Sequence, residues 1–260
     1  MKITFYKYHG TGNDFIIIDN RNNDINLSKQ QVKFLCDRRF GIGADGLMLL
    51  NTKPAYDFEM IYFNSDGRPS SMCGNGGRCL VKFAADMGIK RDKYRFLAVD
   101  GDHDAEFDKK GWINLKMLDV NKVDHNRGDA ILNTGSPHYI KPVQDIKGLN
   151  VYKEGREIRN SRAFAAQGIN VNFVEQKEDS IAVRTYERGV EDETFSCGTG
   201  VTAAALVFAH NDKGFNRVDV ETMGGKLAVE FDKIDDEHFE NIWLCGPATF
   251  VFKGEIELDA

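Results

Sequence analysis

The sequence predicts a mixed α/β chain built as two similar halves, and three observations carry that prediction. The first is length: 260 residues exceed the roughly 100 to 200 of a typical single domain yet fall short of three. The second is repetition, since Tyr62, Cys73, Gly74, Gly76 and Ala85 recur as Tyr186, Cys197, Gly198, Gly200 and Ala209 at a constant offset. A weaker echo pairs Thr11-Gly12-Asn13 with Thr134-Gly135-Ser136 in nearly the same register. The third is pattern, because each half reads as strands followed by a helix headed by glycines. With 42% hydrophobic residues and 25 glycines the chain can bury a substantial core. The predicted halves are 1–114, with a terminal segment 247–260 returning to it, and 115–246.

In the first half, strands are predicted at 15–19, 47–50 and 57–64, where aromatic and β-branched residues run up to turn signals such as Asn64-Ser65-Asp66-Gly67. After Cys73, Leu80, Phe83, Ala84 and Met87 recur at helical spacing, and Gly88 supplies a stop. A further strand covers 112–117. In the second half, strands are predicted at 169–175 and 180–188, the latter ending at Arg188-Gly189. The run from Val201 to Ala209 is apolar almost all round, which suits a helix wrapped by its own sheet. Strands at 217–221, 227–231 and 241–245 follow, with the acidic stretch 232–240 as a solvated hairpin turn. The apolar run Thr249-Phe250-Val251-Phe252 closes the chain.

Charge narrows the function classes. There are 34 basic and 40 acidic residues, a net charge of −6, which gives no footprint for a polyanion, so nucleic acid is not expected as a partner. No apolar run approaches the ~18 residues of a spanning helix, and the start of the chain lacks the apolar core of a secretory signal. A cytoplasmic protein with no membrane partner is expected. Five cysteines without secretory context do not make a disulfide framework, and no cysteine or histidine spacing builds a zinc site. Cys36, Cys79 and Cys245 read as packing residues, and no metal is expected.

Cys73 and Cys197 read differently. Each stands just ahead of its helix, followed by Gly-Asn-Gly or Gly-Thr-Gly. The first amides of a helix lack intrahelical acceptors, and the macrodipole places about half a positive charge there, so a carboxylate can dock on bare backbone. The same field favours a thiolate. One such cysteine reads as a small buried hydrophobe as readily as a catalyst. Two equivalent thiols from two halves suit a carbon acid flanked on both faces, where a proton leaves one face and returns to the other. Helix ends meeting on the substrate carboxylate would stabilise the carbanion.

Five separated motifs carry a resemblance. Gly10-Thr11-Gly12-Asn13-Asp14-Phe15, Gly41-Ile42-Gly43-Ala44-Asp45-Gly46, Phe63-Asn64-Ser65-Asp66-Gly67, Met72-Cys73-Gly74-Asn75-Gly76-Gly77-Arg78-Cys79, and Tyr186-Glu187-Arg188-Gly189 with Cys197-Gly198-Thr199-Gly200 closely resemble the diaminopimelate epimerases in order and spacing. The resemblance spans nearly the whole chain. It implies two pseudo-symmetric α/β halves, each a curled, mainly antiparallel sheet around a central helix, with the active-site cleft between them. It implies a cofactor-independent isomerase that interconverts LL- and meso-diaminopimelate in lysine and peptidoglycan precursor biosynthesis. A small amino-acid substrate, a homodimer, and neither pyridoxal phosphate nor metal follow from it.

Carried over by motif, Cys73 and Cys197 are the acid/base thiols, and the amides of Gly74, Asn75, Gly198 and Thr199 hold the reacting carboxylate. Asn13 and Glu187 contact the reacting end, while Asn64, Asn170 and Arg188 read the distal amino acid. For Arg188 there is an independent reason, since a guanidinium fork matches a carboxylate at two points. Ser136 and His138 are further candidates, and Asn172 reads as a strand residue pointing away. Two positions depart from the family pattern: Gly46 stands where many members carry an amide, and Ser136 where they carry asparagine. A proline racemase-like or PhzF-like enzyme of the same fold is the nearest rival. Proline offers no second head for Arg188, and proline racemases place histidine where Asn75 stands. A thiol redox or metal protein would need neighbouring cysteines, and a plain binding module would exchange no α-protons.

Overall fold

In the computed structural model, which describes residues 1–70 and 72–258, the chain divides into two compact units. Residues 1–115 and the terminal segment from Pro247 form one; Lys116–Gly246 form the other.

The first unit begins with β1 (Lys2–Gly10) and β2 (Asn13–Asn20), joined by a two-residue turn in which Thr11 and Gly12 have φ of 49° and 84°. Both central residues with positive φ is the type I′ geometry that matches strand twist, and only the second of them is glycine. Helix α1 (Lys29–Cys36) starts on a capping box, with Gln31 N donating to Ser28 Oγ and Gln31 Oε1 accepting from Ser28 N. Then come β3 (Gly46–Asn51), β4 (Phe58–Asn64), α2 (Gly74–Asp86), β5 (Lys93–Ala98), β6 (Gly101–Phe107) and β7 (Ile113–Lys116). Gly88, with φ of 94°, follows the C-cap of α2 and ends the helix at the glycine the sequence marks.

The second unit repeats this plan: β8 (Val123–Asn126), β9 (Asp129–Asn133), β10 (Pro137–Pro142), α3 (Val151–Arg159), β11 (Asn170–Gln176), β12 (Ser180–Glu187), the short β13 (Asp192–Thr194), α4 (Gly198–Val207), β14 (Gly214–Thr222), β15 (Gly225–Lys233) and β16 (Phe239–Gly246). The last strand, β17 (Thr249–Glu257), pairs with β1 in the first unit.

Pairing confirms the repeat at the level of topology. The first unit runs β17-β1-β2-β3-β4-β5-β6-β7, parallel at β2–β3 and β4–β5 and antiparallel elsewhere. The second runs β8-β9-β10-β11-β12-β14-β15-β16, parallel at β10–β11 and β12–β14 and antiparallel elsewhere, with β13 as a side hairpin on β12. Each unit is thus a mixed, mainly antiparallel sheet, and the fold is α/β with much strand and little helix, as the sequence predicts.

The central helices pack on the sheets of their own units. α2 lies against β1, β2, β3 and β17, burying Leu80, Phe83 and Ala84. α4 touches β9 to β12 and β14 to β16 and buries every residue from Gly200 to Leu206, which accounts for its all-round apolar sequence. On the opposite faces, α1 covers Ile16, Ile18, Leu47 and Leu49, and α3 covers Val171, Phe173 and Tyr186. Cys36, Cys79 and Cys245 are buried, and burial pushes the Cys36 thiol up to about 12. The acidic turn is narrower than expected, with residues 234–238 exposed between β15 and β16.

Candidate active site

Cys73 and Cys197 are the N-cap residues of α2 and α4, both with extended backbone. Neither helix has a side-chain cap. The first intrahelical bonds run from Gly77 N to Cys73 O and from Val201 N to Cys197 O, so the amides before them point out along the helix axis. Here a short acidic or hydroxylic cap would fill the space an external carboxylate needs, and a cysteine at the N-cap leaves it open.

In the first unit the structure gathers Asn13, Cys73, Gly74 and Asn75 at the start of α2. Cys73 Sγ lies 3.7 Å from Asn13 Oδ1, which also accepts from Asn75 Nδ2 at 3.4 Å. Asn75 is itself held by the fully buried Arg78, whose Nη2 donates to Asn75 Oδ1 at 2.9 Å and whose Nη1 donates to Gly74 O. Asn64 ends β4 opposite Gly46 and is exposed. Gly46 is glycine for a steric reason, because a Cβ there would sit 2.5 Å from the Tyr62 ring and 2.8 Å from Phe63 O.

In the second unit Cys197, Gly198 and Thr199 open α4, and Cys197 Sγ lies 3.5 Å from Thr199 Oγ1. Thr134 ties the β9–β10 turn to the helix start by donating to Thr199 O at 2.8 Å. Ser136, Asn170 and Arg188 form one group. Asn170 Nδ2 donates to Ser136 Oγ at 2.9 Å, Asn170 Oδ1 accepts from Arg188 N at 2.9 Å, and Arg188 Nη2 donates to Ser136 Oγ at 3.3 Å. The serine hydroxyl thus occupies the junction between the amide and the guanidinium. Arg188 also donates to Gln167 O and remains exposed. Glu187, at the end of β12, accepts from Thr194 Oγ1 at 2.9 Å.

His138 is fully buried beneath α4. Burial, with the Arg188 charge adding to it, pulls its pKa down to about 3, so it is neutral. Asn172 is not turned away as the sequence reading has it. Strand residues two apart share a face, and Asn172 lies buried beside His138, accepting from Thr185 Oγ1 at 2.9 Å.

Sequence reasoning passed over a charged cluster behind Asn13. Arg38 holds Asp14 at two points, 2.7 and 3.0 Å, and Asp45 at 2.7 Å, while the buried Lys7 pairs with Asp14 at 2.7 Å. Burial resists ionisation of Asp14, but Arg38 and Lys7 outweigh it and hold the carboxyl well below its usual range. The available signal was Asp45 inside a glycine-rich loop already read as a motif. Among the described residues no group of three or more His, Cys, Asp or Glu could hold a metal ion, and no helix is long and apolar enough to cross a membrane.

A family model described as diaminopimelate epimerase matches residues 5–123 and again 130–251, one match to each repeat. A diaminopimelate epimerase of Flavobacterium psychrophilum is 47% identical, covering 96% of this chain and 99% of the relative, and that of Chlorobaculum tepidum is 45% identical over 96% and 99%. Among solved structures, a Bacillus anthracis phenazine biosynthesis protein of the PhzF family superposes with a TM-score of 0.80 over 99% of this chain and 100% of the other, at 14% identity. A hydroxyproline epimerase from Agrobacterium vitis gives 0.69 over 100% and 93%, at 11% identity. These two are similar in fold alone.

Proposed function

The chain belongs to the diaminopimelate epimerase family, and from that premise we propose that it interconverts LL- and meso-diaminopimelate by passing one α-proton between Cys73 and Cys197. The observation that carries this reading is the doubled helix start, a cysteine at the N-cap of α2 and of α4 with no side-chain cap on either.

The step balances without a redox partner. One sulfur, as thiolate, takes the α-proton and becomes a thiol; the electron pair of the C–H bond stays on carbon. The other sulfur, as thiol, delivers its proton to the opposite face and becomes the thiolate. The centre is inverted and the two sulfurs have exchanged protonation states. The substrate α-carboxylate rests on the amides of Gly74, Asn75, Gly198 and Thr199, whose dipoles stabilise the negative charge that develops next to it. Acid and base are both supplied by the chain, so neither pyridoxal phosphate nor metal has a step to perform.

Asn13 and Glu187 orient the reacting end. Asn64, Asn170 and Arg188 receive the distal amino acid, with the exposed guanidinium fork on the distal carboxylate and Ser136 bridging it to Asn170. The enzyme acts in the cytoplasm, where thiols stay reduced, on the route to lysine and peptidoglycan precursors. It works as a homodimer, a reading supported by the exposed apolar side chains of Phe250, Val251 and Phe252 on β17.

The test is proton NMR of LL-diaminopimelate with the reduced protein in deuterium oxide. Deuterium enters the α-position as the meso isomer appears. Intact, reduced protein that neither forms meso isomer nor incorporates deuterium would overturn the reading.

A further inference from the structure

The amide of Asn13 can be oriented in only one way, and the reason lies in residues at both ends of a short chain of hydrogen bonds. Asn13 Nδ2 donates to Asp45 Oδ2 at 2.7 Å. A carboxylate only accepts, so the nitrogen of Asn13 must face Asp45 and its oxygen must face away. At the other end Arg78 Nη2 donates to Asn75 Oδ1 at 2.9 Å, and a guanidinium only donates, so Asn75 must turn its nitrogen toward Asn13. The two constraints agree, and Asn13 Oδ1 receives Asn75 Nδ2 at 3.4 Å and lies 3.7 Å from Cys73 Sγ.

Asp45 is itself held on several sides. Arg38 Nη2 donates to its Oδ1 at 2.7 Å, Asp14 N donates to its Oδ2 at 3.1 Å, and its backbone amide donates to Asp14 O at 3.0 Å. The carboxylate is therefore fixed in place rather than swinging in solvent, although its side chain is 43% exposed.

We infer that Asp45 is a positioning residue for Cys73: through Asn13 it presents a carbonyl oxygen to the sulfur and so favours the thiol, the proton-donating form. With Asp45 in place, a turned Asn13 would set its oxygen against a carboxylate, so the amide has no low-energy alternative. Without Asp45 only the long 3.4 Å bond from Asn75 Nδ2 still holds the amide, so it loses its stronger anchor, turns more readily and offers its N–H groups to sulfur, which favours the thiolate. The consequence for turnover rests on the proposed role of Cys73, but the test does not, because it reads the sulfur directly and uses no substrate.

The experiment compares iodoacetamide alkylation rates at each cysteine, by peptide mass spectrometry, in the full-length wild type, Asp45→Ala and Asp45→Asn at neutral pH. In Asp45→Ala, Cys73 should react about tenfold faster as the thiolate becomes the favoured form, while Cys197 changes by less than about twofold. In Asp45→Asn the side-chain carbonyl still accepts from Asn13, so Cys73 should stay within about threefold of wild type. Asn13→Ala removes the intermediary, and adding Asp45→Ala to it should leave the Cys73 rate unchanged.

Equal acceleration in Asp45→Ala and Asp45→Asn would mean that Asp45 acts by its charge alone and would overturn the inference. So would an unchanged Cys73 rate in Asp45→Ala, or a full Asp45→Ala effect persisting without Asn13. The buried Cys36 and Cys79 report folding in the same spectrum; if Asp45→Ala exposes them, Asp45→Ser, whose hydroxyl is too short to reach Asn13, takes its place under the same criteria.

Discussion

Asn172 Nδ2 donates to Nδ1 of His138 across 3.0 Å beneath the first turn of α4, and both side chains are fully buried. An amide nitrogen only donates, so the imidazole carries its proton on Nε2 and is neutral. Its folded pKa is depressed from 6.5 to about 3, by burial first and by the Arg188 charge second. In the unfolded chain the ring titrates near 6.5, so between about pH 3 and 6.5 the unfolded state binds the extra proton. Stability from this group is complete above that window and drains away as pH falls through it. Urea denaturation at about pH 7 and pH 5 should reveal a loss of about 2 kcal/mol from His138 alone. His138→Asn keeps an acceptor toward Asn172 but cannot take up a proton, and its stability should fall by about 2 kcal/mol less over the same interval. An identical drop in wild type and variant would mean that His138 is accessible to protons in the folded state.

The two central helices should differ in their tolerance of a methyl group at matching glycines. A Cβ on Gly200 would lie 2.2 Å from Asn172 Oδ1 and 3.3 Å from His138 Cε1, both anchored in the buried polar group. A Cβ on Gly76 would meet Met48 Cε at 2.4 Å, the free end of a flexible side chain that can swing away. Gly200→Ala should therefore cost about 1–3 kcal/mol in urea unfolding, and Gly76→Ala less than about 1 kcal/mol. Costs in the reverse order would show that the floor under α4 repacks more easily than its hydrogen bonds suggest.

Arg188 offers a test of substrate selectivity. Arg188→Lys keeps the charge but loses the planar two-point grip and the donor to Ser136. The charge-assisted bonds at stake are worth roughly 1.5–3 kcal/mol, so kcat/KM for diaminopimelate should fall about tenfold or more. Racemisation of lysine, which has no distal carboxylate, should change far less. An unchanged preference for diaminopimelate over lysine in the variant would place Arg188 outside the substrate's reach.

What the sequence discloses here depends on whether a residue's role is local. The placement of Cys73 and Cys197 is legible because a repeat marks them twice, and both stand at helix N-caps as the glycines that follow them lead one to expect. The helix after Cys73 is legible in its apolar spacing and in Gly88, and the glycine falls where the helix ends. α1 and α3 escape the periodicity argument because each buries a narrow face, yet Ser28 with Gln31 spells out a capping box that marks the first of them. Strands β1, β5, β6 and β8 to β10 do not stand out in the sequence, because exposed or half-exposed residues interrupt each of them and no continuous apolar run marks them, although β5–β6, β8–β9 and β9–β10 pair with neighbours in the chain. The expectation that Asn172 points away fails on parity, because it is two residues from Asn170 on one strand and so shares its face. Asp45 was in view within its motif, but its hold on Asn13 exists only once β2 and β3 lie side by side.

The most direct test of the central claim is the rate of meso-diaminopimelate formation from the LL isomer by Cys73→Ala and Cys197→Ala, each checked for wild-type circular dichroism and melting midpoint. General acid and base groups each contribute about 10²- to 10⁴-fold, and every inversion needs both, so each variant alone should fall to about a hundredth of wild-type kcat or lower. A folded variant of either kind that keeps a tenth or more of wild-type turnover would contradict the two-thiol mechanism.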